Sequence, residues 1–224
     1  MARINHALIM AAGRGQRMAP LTDVIPKPMA PYGTSTLIAN GIDKIRDRIP
    51  NIHITVGYKK AMLAQHVIEH GAESVFNTEG QSNSWWIYNT LLGLLEEPIY
   101  VLTCDNVVDL DFDLIEANYV DLESPACMLV PVEPVSGLDG DYIFHDKQVV
   151  VELSRKKAAA TYCSGIQVLN PGKVRRLTAE GGDFYSVWSQ LIQYEQLKCS
   201  QIYPKKWFTV DTLEQLAALN HSER

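Results

Sequence analysis

The sequence predicts a three-layer α/β/α fold with a mostly parallel sheet and an inserted antiparallel portion. Strand-like and helix-like segments alternate through residues 1–125, which is the order expected of parallel strands joined by helices. Residues 99–102 are almost entirely apolar, as in a strand at the buried centre of a parallel sheet. After residue 125, short strand-like segments follow one another with turns between them, which is typical of antiparallel strands.

The elements of the first half follow from periodicity and from residues that end helices. Apolar residues at helical spacing mark the first helix, and Thr34 or Ser35 is its predicted N-cap. Gly71 ends the second helix, and Pro98 ends the third. The predicted strands are 6–10, 52–56, 74–76 and 99–102, and the predicted helices are 37–45, 62–70 and 85–95.

The second half is predicted to be an insertion that closes over the sheet, not a second domain. We therefore expect the whole chain, residues 1–224, to form a single domain. The predicted strands are 128–132, 142–144, 149–153, 165–169, 199–203 and 208–210, and the predicted helices are 184–195 and 212–219.

Composition excludes several classes of protein. The net charge of −6 argues against a general nucleic-acid or anionic-membrane surface. The four cysteines form no CxxC pair, so a disulfide scaffold or a zinc site is not expected. No apolar run approaches the roughly 18 residues that span a bilayer, and the first ten residues do not resemble a secretory leader. We expect a cytoplasmic protein.

The first predicted strand runs into a glycine-rich loop. Backbone N–H groups of such a loop suit phosphate oxygens, small residues before it let a planar base approach, and basic residues follow it. The loop lacks the third glycine of a dinucleotide fingerprint and the ending of a Walker loop. The alternative to phosphate binding is a tight turn whose basic side chains are solvated. The residues concerned are Ala11, Ala12, Gly13, Arg14, Gly15, Arg17 and Lys27.

Residues 8–28 resemble the signature of the sugar-1-phosphate nucleotidyltransferase family, L-A-A-G-x-G-x-R-M-x-P-L-T followed by P-K-P; only Met10 departs from it. The resemblance implies a Rossmann-like nucleotidyltransferase domain, with a nucleotide-binding half (1–125) and an acceptor-binding half (126–224). It also implies that the loop from Ala11 to Gly15 binds the nucleotide. Arg17 and Lys27 then act as the catalytic residues that stabilise phosphoryl charge.

Two carboxylates are candidate metal ligands. Asp105 lies just past the end of a buried strand, where open α/β sheets bind ligands. The resemblance implies that Asp105 holds Mg²⁺ against the nucleotide phosphates. The family's second carboxylate usually follows a tryptophan by two residues, but Thr209 stands there in this chain. Asp211 would face the same side of a strand and is the predicted second ligand; capping of the following helix is the alternative.

The sequence gives weaker signals for the residues that contact the nucleotide base and the acceptor. Residues 77–86 and the pair Asp105-Asn106 resemble the phosphocholine cytidylyltransferase branch of the family. The amides of Gln81 and Asn83 could read a pyrimidine edge, or serve as ordinary loop and cap groups. The resemblance assigns the acceptor to Asn106, Gly140, Glu152 and Gly165. Basic residues 155–157 bind the acceptor phosphate or form a solvated turn.

The resemblance implies an enzyme that transfers a nucleoside monophosphate from UTP or CTP to a sugar 1-phosphate, with Mg²⁺ as cofactor and pyrophosphate as product. Segments 140–142, 163–169 and 207–214 resemble bacterial uridylyltransferases that act on N-acetylmuramic acid 1-phosphate. The alternatives are a cytidylyltransferase for a phospho-alcohol such as phosphocholine, and a non-catalytic nucleotide sensor. The expected partners are the triphosphate and a small phosphorylated acceptor, with no nucleic acid or membrane; the base, the acceptor and a homodimeric state are left open.

Overall fold

The computed structural model describes residues 3–135 and 140–222, and they divide into two compact units. Residues 5–81, 102–108 and 206–222 form one unit, which we call the glycine-loop unit. Residues 3–4, 82–101, 109–135 and 140–205 form the other, the antiparallel unit. That residues 1–224 act as a single domain stays a prediction.

The α/β fold class is confirmed. The strands are β1 (His6–Ala11), β2 (Pro31–Tyr32), β3 (Ser35–Thr36), β4 (Asn51–Val56), β5 (Ser74–Asn77), β6 (Ile99–Thr103), β7 (Asn106–Asp109), β8 (Cys127–Val132), β9 (Tyr142–Asp146), β10 (Val149–Ser154), β11 (Tyr162–Leu169), β12 (Leu197–Cys199) and β13 (Lys206–Thr209). The α-helices are α1 (Leu21–Val24), α2 (Leu37–Arg46), α3 (Lys60–Glu69), α4 (Trp85–Asn89), α5 (Phe112–Asp121), α6 (Pro171–Leu177), α7 (Phe184–Gln193) and α8 (Leu213–Ser222). Single 3-10 turns occupy Gln16–Met18, Lys27–Met29 and Leu91–Leu94.

In the glycine-loop unit, β5, β4 and β1 are neighbours in that order and run parallel. Ala11 pairs with Val56, and Val56 pairs with Asn77, so the three strands end in register. The loops that follow these strands therefore leave the sheet at the same edge, where α/β proteins bind their ligands.

A buried apolar cluster fixes the segments of the glycine-loop unit that carry the predicted site. Met18 lies next to Arg17, and Val210 lies next to Asp211, so the cluster anchors the backbone beside both charged residues. Burial of apolar side chains supplies the free energy that holds such segments together. The cluster consists of Met18, Ala30, Tyr32, Leu37, Val107, Val210, Leu216 and Leu219.

The antiparallel unit contains strands in the order β6-β11-β8-β12-β10-β9. β11 is antiparallel to β6 and to β8, and β10 is antiparallel to β12 and to β9, whereas β12 and β8 run parallel. The predicted antiparallel portion is confirmed. The register of β11 against β8 shifts between Cys163 and Ile166, and Gly165 in this bulge has a φ of +82°, which favours glycine.

Several local predictions were wrong or incomplete. The helix predicted over 85–95 ends at Asn89, because Thr90 is extended and its hydroxyl donates to the Trp86 carbonyl at 2.7 Å. The N-cap of α2 is Thr36 instead of Thr34 or Ser35, and its Oγ1 accepts from the Ala39 N–H at 3.2 Å. Helices α1, α5 and α6 were not predicted, and in place of the strand predicted over 199–203 the structure has β12 at Leu197–Cys199.

Two expectations drawn from composition concern the cysteines and the membrane-spanning segments. All four cysteines are free thiols. Within residues 3–135 and 140–222, no helix is both long and apolar enough to cross a membrane. The cytoplasmic location stays a prediction.

Candidate active site

Four of the predicted site residues meet in the glycine-loop unit. Lys27 Nζ lies 2.8 Å from Asp105 Oδ2 and 2.8 Å from Asp211 Oδ1. Arg17 Nη2 lies 3.0 Å from the same Asp211 oxygen. The Lys27 side chain is 10% exposed, whereas that of Arg17 is 65% exposed. A buried cation therefore pairs with both carboxylates, and an accessible cation shares one of them, Asp211.

The surroundings of Lys27 keep it charged. Burial is the largest single influence on its pKa and acts to lower it, because a charged group loses hydration in the interior. The negative charge of Asp105 and hydrogen bonds to both carboxylates act the other way, and together they raise the Lys27 pKa above its ordinary value. Lys27 is thus a fixed positive charge at neutral pH.

Backbone contacts bring Asp211 to Asp105. The Val210 N–H donates to the Asp105 carbonyl at 2.9 Å, and Val210 is fully buried. Because neighbouring residues of extended chain point to opposite sides, the buried Val210 leaves Asp211 facing the Lys27 ammonium.

The cap of α8 is provided by a residue other than Asp211. Thr212 Oγ1 accepts from the Gln215 N–H at 3.2 Å, and Gln215 Oε1 accepts from the N–H groups of Thr212 and Asp211 at 3.0 and 2.7 Å. This is a capping box, in which the two side chains satisfy each other's backbone donors. The alternative role of Asp211 as a helix cap is filled by Thr212, so the Asp211 carboxylate is available to the site.

The glycine loop passes directly over Lys27. Gly15 has a φ of +66°, and a Cβ there would lie 2.6 Å from Lys27 Cβ, so only glycine fits without a shift. Thr22 Oγ1 donates to the Gly15 carbonyl at 3.1 Å and closes the loop. Ala11 ends β1, and its N–H donates to Thr55 Oγ1 at 3.1 Å. Gly13 is exposed, and a Cβ there would meet nothing within 4 Å.

The two carboxylates suit a small divalent cation. Asp105 Oδ2 and Asp211 Oδ1 both lie 2.8 Å from one nitrogen, so they cannot be farther apart than twice that distance. Mg²⁺ prefers oxygen ligands and is commonly held by one or two carboxylates together with substrate phosphates. Among residues 3–135 and 140–222 no group of three or more His, Cys, Asp or Glu could hold a metal, so a metal here would depend on substrate oxygens.

The two residues predicted to contact the base, Gln81 and Asn83, have different surroundings. Gln81 is exposed, and its N–H closes a turn to the Thr78 carbonyl at 3.0 Å. Asn83 Oδ1 accepts from the N–H of Phe184, the first residue of α7, at 2.8 Å. The Asn83 carbonyl oxygen therefore serves as a helix-terminus acceptor, as the alternative interpretation expected. Asn106 opens β7 directly after Asp105.

The predicted acceptor residues Gly140, Glu152 and Gly165 belong to the antiparallel unit. A Cβ on Gly140 would lie 2.2 Å from the Tyr162 hydroxyl, so this close approach requires glycine. Glu152 is half-exposed and pairs with Lys157 at 3.1 Å. The roles of these residues toward an acceptor stay predictions.

The basic residues that follow β10 line a cavity of the antiparallel unit. Its volume is about 280 Å³. Arg155 Nε donates to Asp141 Oδ1 at 3.0 Å, and the guanidinium lies 5.8 Å from the centroid of the Tyr185 ring. Arg155 therefore has partners although its side chain is 66% exposed, and the binding of an acceptor phosphate here stays a prediction. The lining residues are Ser154, Arg155, Lys156, Asp183 and Tyr185.

Sequence reasoning missed Tyr58, which contacts the glycine loop. Its N–H donates to the Ala12 carbonyl at 3.1 Å, and its hydroxyl donates to the Thr22 carbonyl at 2.9 Å. The available signal was its place directly after a strand predicted to run parallel to β1, because such strands end at one edge of the sheet.

Comparisons with known proteins agree with this geometry. The family model described as "Nucleotidyl transferase" matches residues 6–138, more than half of the chain. The bifunctional protein GlmU of Methanocaldococcus jannaschii is 38% identical over 64 residues, covering 29% of this chain and 16% of the relative. Glucose-1-phosphate adenylyltransferase of Saccharophagus degradans is 28% identical over 185 residues, covering 72% of this chain and 44% of the relative. These matches span less than half the length of either relative.

The structure of CTP:phosphocholine cytidylyltransferase from Streptococcus pneumoniae superposes with a TM-score of 0.76 and 20% identity, covering 100% of both chains. At that identity the likeness shows the fold alone. The match of the family model extends from β1 through the glycine loop, Lys27 and Asp105. The motif that folds around Lys27 and the matching family model together establish that this chain belongs to the nucleotidyl transferase family.

Proposed function

We propose that this protein transfers a nucleoside monophosphate from UTP or CTP to a sugar 1-phosphate and releases pyrophosphate. The observation that carries the proposal is the meeting of Arg17, Lys27, Asp105 and Asp211 beside a glycine loop, with nitrogen to oxygen distances of 2.8 to 3.0 Å. Cations next to a glycine-rich loop suit a triphosphate, and paired carboxylates suit its metal.

The proposed chemistry is a single in-line displacement. A phosphate oxygen of the acceptor forms a bond to the α-phosphorus, and the bond from that phosphorus to the bridging oxygen of pyrophosphate breaks. Lys27 and Arg17 stabilise the negative charge that develops on the transferred phosphoryl group and on the leaving group. The glycine loop holds the phosphate chain so that the acceptor and the leaving group lie in line.

A covalent enzyme intermediate is not needed, because the acceptor phosphate is itself a nucleophile. The nearest thiol, that of Cys104, is a poor candidate for one. Burial, and next the charge of Asp105, raises the pKa of this thiol far above neutral pH. The thiolate is the reactive form of cysteine, so Cys104 stays inert.

Asp105 and Asp211 are the proposed holders of Mg²⁺. Bound there, the ion would neutralise phosphate charge and polarise the α-phosphate. Lys27 Nζ contacts one oxygen of each carboxylate, so Lys27 and a bound metal would compete for these two oxygens.

A phospho-alcohol such as phosphocholine is the second candidate acceptor. The observation in its favour is the Asp105-Asn106 pair at the start of β7, together with the aromatic residues of α4, which resemble the cytidylyltransferase branch. The proposed site for triphosphate and metal is the same for both acceptors.

A pyrophosphate-release screen tests the proposal. The purified protein is assayed with Mg²⁺ and each of four nucleoside triphosphates against sugar 1-phosphates and phospho-alcohols. Pyrophosphate release that requires both UTP or CTP and a sugar 1-phosphate supports the first proposal, and release that requires CTP and phosphocholine supports the second. Binding of triphosphates without turnover for any acceptor would instead identify a nucleotide sensor and contradict both.

A further inference from the structure

Tyr58 lies where the backbone after β4 touches the backbone after β1. Gly57 packs so closely that a Cβ there would lie 2.5 Å from the Ala12 carbonyl oxygen. The next residue, Tyr58, donates its N–H to that same oxygen at 3.1 Å. The first limb of the glycine loop is therefore fixed to the residue that follows β4.

The side chain of Tyr58 reaches α1, the helix that follows the glycine loop. Its hydroxyl donates to the Thr22 carbonyl at 2.9 Å. Thr22 is 2% exposed and in turn donates its own hydroxyl to the Gly15 carbonyl at 3.1 Å. One tyrosine thus links Ala12 in the loop to Thr22 of α1, whose hydroxyl donates to Gly15 at the end of the loop.

The ring of Tyr58 also contacts a cation of the loop. The Arg14 guanidinium carbon lies 5.3 Å from the ring centroid, within the range of a cation–π interaction. Arg14 is half-exposed and lies 4.0 Å from Asp23. An exposed arginine held by a ring and a carboxylate keeps fewer conformations than a solvated one.

We propose that Tyr58 is a positioning residue that sets the affinity of the glycine loop for a triphosphate. Tyr58 acts through Ala12, Thr22 and Arg14. The inference rests on the proposed function, because it concerns the same loop. Its physical basis is preorganisation: ordering a residue on binding costs conformational entropy, and a loop that is already ordered avoids that cost.

Tyr119 offers a matched control in the antiparallel unit. Its hydroxyl donates to the Pro125 carbonyl at 2.7 Å, and the residue is 3% exposed. Tyr58→Phe and Tyr119→Phe each remove one bond from a tyrosine hydroxyl to a backbone carbonyl. Both variants are expected to lose stability, but only Tyr58→Phe is expected to change the loop.

Amide hydrogen exchange without nucleotide is the first readout, because it needs no activity. Exchange of the amides of residues 13–22 is expected to rise in Tyr58→Phe and to match the parent protein in Tyr119→Phe. The second readout is the Kd for UTP and for CTP by titration calorimetry with Mg²⁺. We expect Tyr58→Phe to raise the Kd about three- to tenfold, with kcat within about twofold of the parent.

A double-mutant cycle tests the contribution of the ring. Arg14→Ala is expected to weaken triphosphate binding by the same factor in Tyr58→Phe as in the parent, because phenylalanine keeps the ring. In Tyr58→Leu the loss on Arg14→Ala is expected to be smaller, since the contact is already gone.

The outcomes separate the inference from the proposed function. Equal loop exchange and equal Kd in Tyr58→Phe and Tyr119→Phe would overturn the inference. A parent protein that binds neither UTP nor CTP would contradict the proposed function, and the exchange data would still decide whether Tyr58 orders the loop.

Discussion

In the glycine-loop unit Lys27 is 10% exposed and lies between two carboxylates, whereas in the antiparallel unit Lys157 is 61% exposed and pairs with Glu152 at 3.1 Å. In the first arrangement, burial and two ion pairs hold Lys27 between Asp105 and Asp211 in the absence of substrate. The second lies in water, where an ion pair contributes roughly 0–1 kcal/mol and rearranges easily. Preorganised charge accelerates a reaction, while adaptable groups mainly affect binding.

This difference leads to an expectation about kinetics. Substitutions at the charge cluster of the glycine-loop unit should lower kcat, and substitutions at the predicted acceptor residues should raise the KM of the acceptor. If substitutions at the charge cluster raised only the acceptor KM, or substitutions at the acceptor residues lowered only kcat, this difference between the two units would be contradicted.

The largest effect is expected for Lys27→Met. Loss of the ammonium should lower kcat about 10²-fold or more, because one preorganised charge at a developing oxyanion typically contributes that much. Lys60→Met is the matched control, since it removes a lysine whose ion pair with Glu79 is exposed on the same unit. Pyrophosphate release measures both. A Lys27→Met rate within a few-fold of the parent would show that the buried cation is only structural.

Lys27→Met also tests whether the Lys27 ammonium and a divalent cation compete for Asp105 and Asp211. Without the ammonium between Asp105 and Asp211, both carboxylates are open to a cation, so Mn²⁺ should bind more tightly in the absence of nucleotide. Electron paramagnetic resonance of free Mn²⁺ measures this affinity. Unchanged or weaker Mn²⁺ binding would mean that Lys27 does not compete for that position.

A smaller and different effect is expected for Glu152→Gln. The loss of one charged hydrogen-bonding group should raise the acceptor KM about tenfold and leave the triphosphate KM unchanged. Asp146→Asn, an exposed carboxylate on the neighbouring strand β9, is the control. If kcat falls instead and the acceptor KM stays the same, Glu152 contributes to catalysis, as the charge cluster does, and not to acceptor binding.

The smallest effect concerns stability and a part of the glycine-loop unit outside the site. His53 is 7% exposed, donates to or accepts from Ser74 Oγ at 2.8 Å, and stacks on His6. Burial, and next the charge of His6, lowers the pKa of His53 from 6.5 to about 4. The unfolded chain therefore takes up a proton below about pH 6.5 while the folded protein does not, so stability should fall with decreasing pH down to about pH 4.

Urea unfolding at several pH values measures this fall. His53→Gln should flatten the slope between pH 6.5 and 4, whereas His145→Gln, at an exposed position, should leave it unchanged. The same slope in His53→Gln and in the parent would assign the acid sensitivity to other groups.

Much of the charge cluster could be predicted from the sequence because short motifs determine it. Gly15, Arg17 and Lys27 lie on one continuous segment, and Asp105 directly follows an apolar strand. Asp211 needed the structure: spacing alone allowed a metal ligand or a helix cap, and the capping box of Thr212 and Gln215 decides that the cap is elsewhere.

The contacts that sequence reasoning missed depend on long-range packing. Tyr58 meets the glycine loop because β4 lies beside β1, and Asn83 meets α7 through a contact 101 residues along the chain. Pattern and propensity describe local preference, and such tertiary contacts override it.

We propose that Asp105 and Asp211 together hold the metal of a nucleotidyl-transfer site. The most direct test is the Mg²⁺ dependence of pyrophosphate release in Asp211→Asn, with Glu214→Gln, an exposed carboxylate in the first turn of α8, as the control. Asn keeps the shape of Asp but not its charge, and Thr212 still caps the helix. We predict that Asp211→Asn needs about tenfold or more Mg²⁺ for half-maximal rate, and that Glu214→Gln stays within about twofold of the parent. A parent-like Mg²⁺ dependence and rate in Asp211→Asn would contradict the claim.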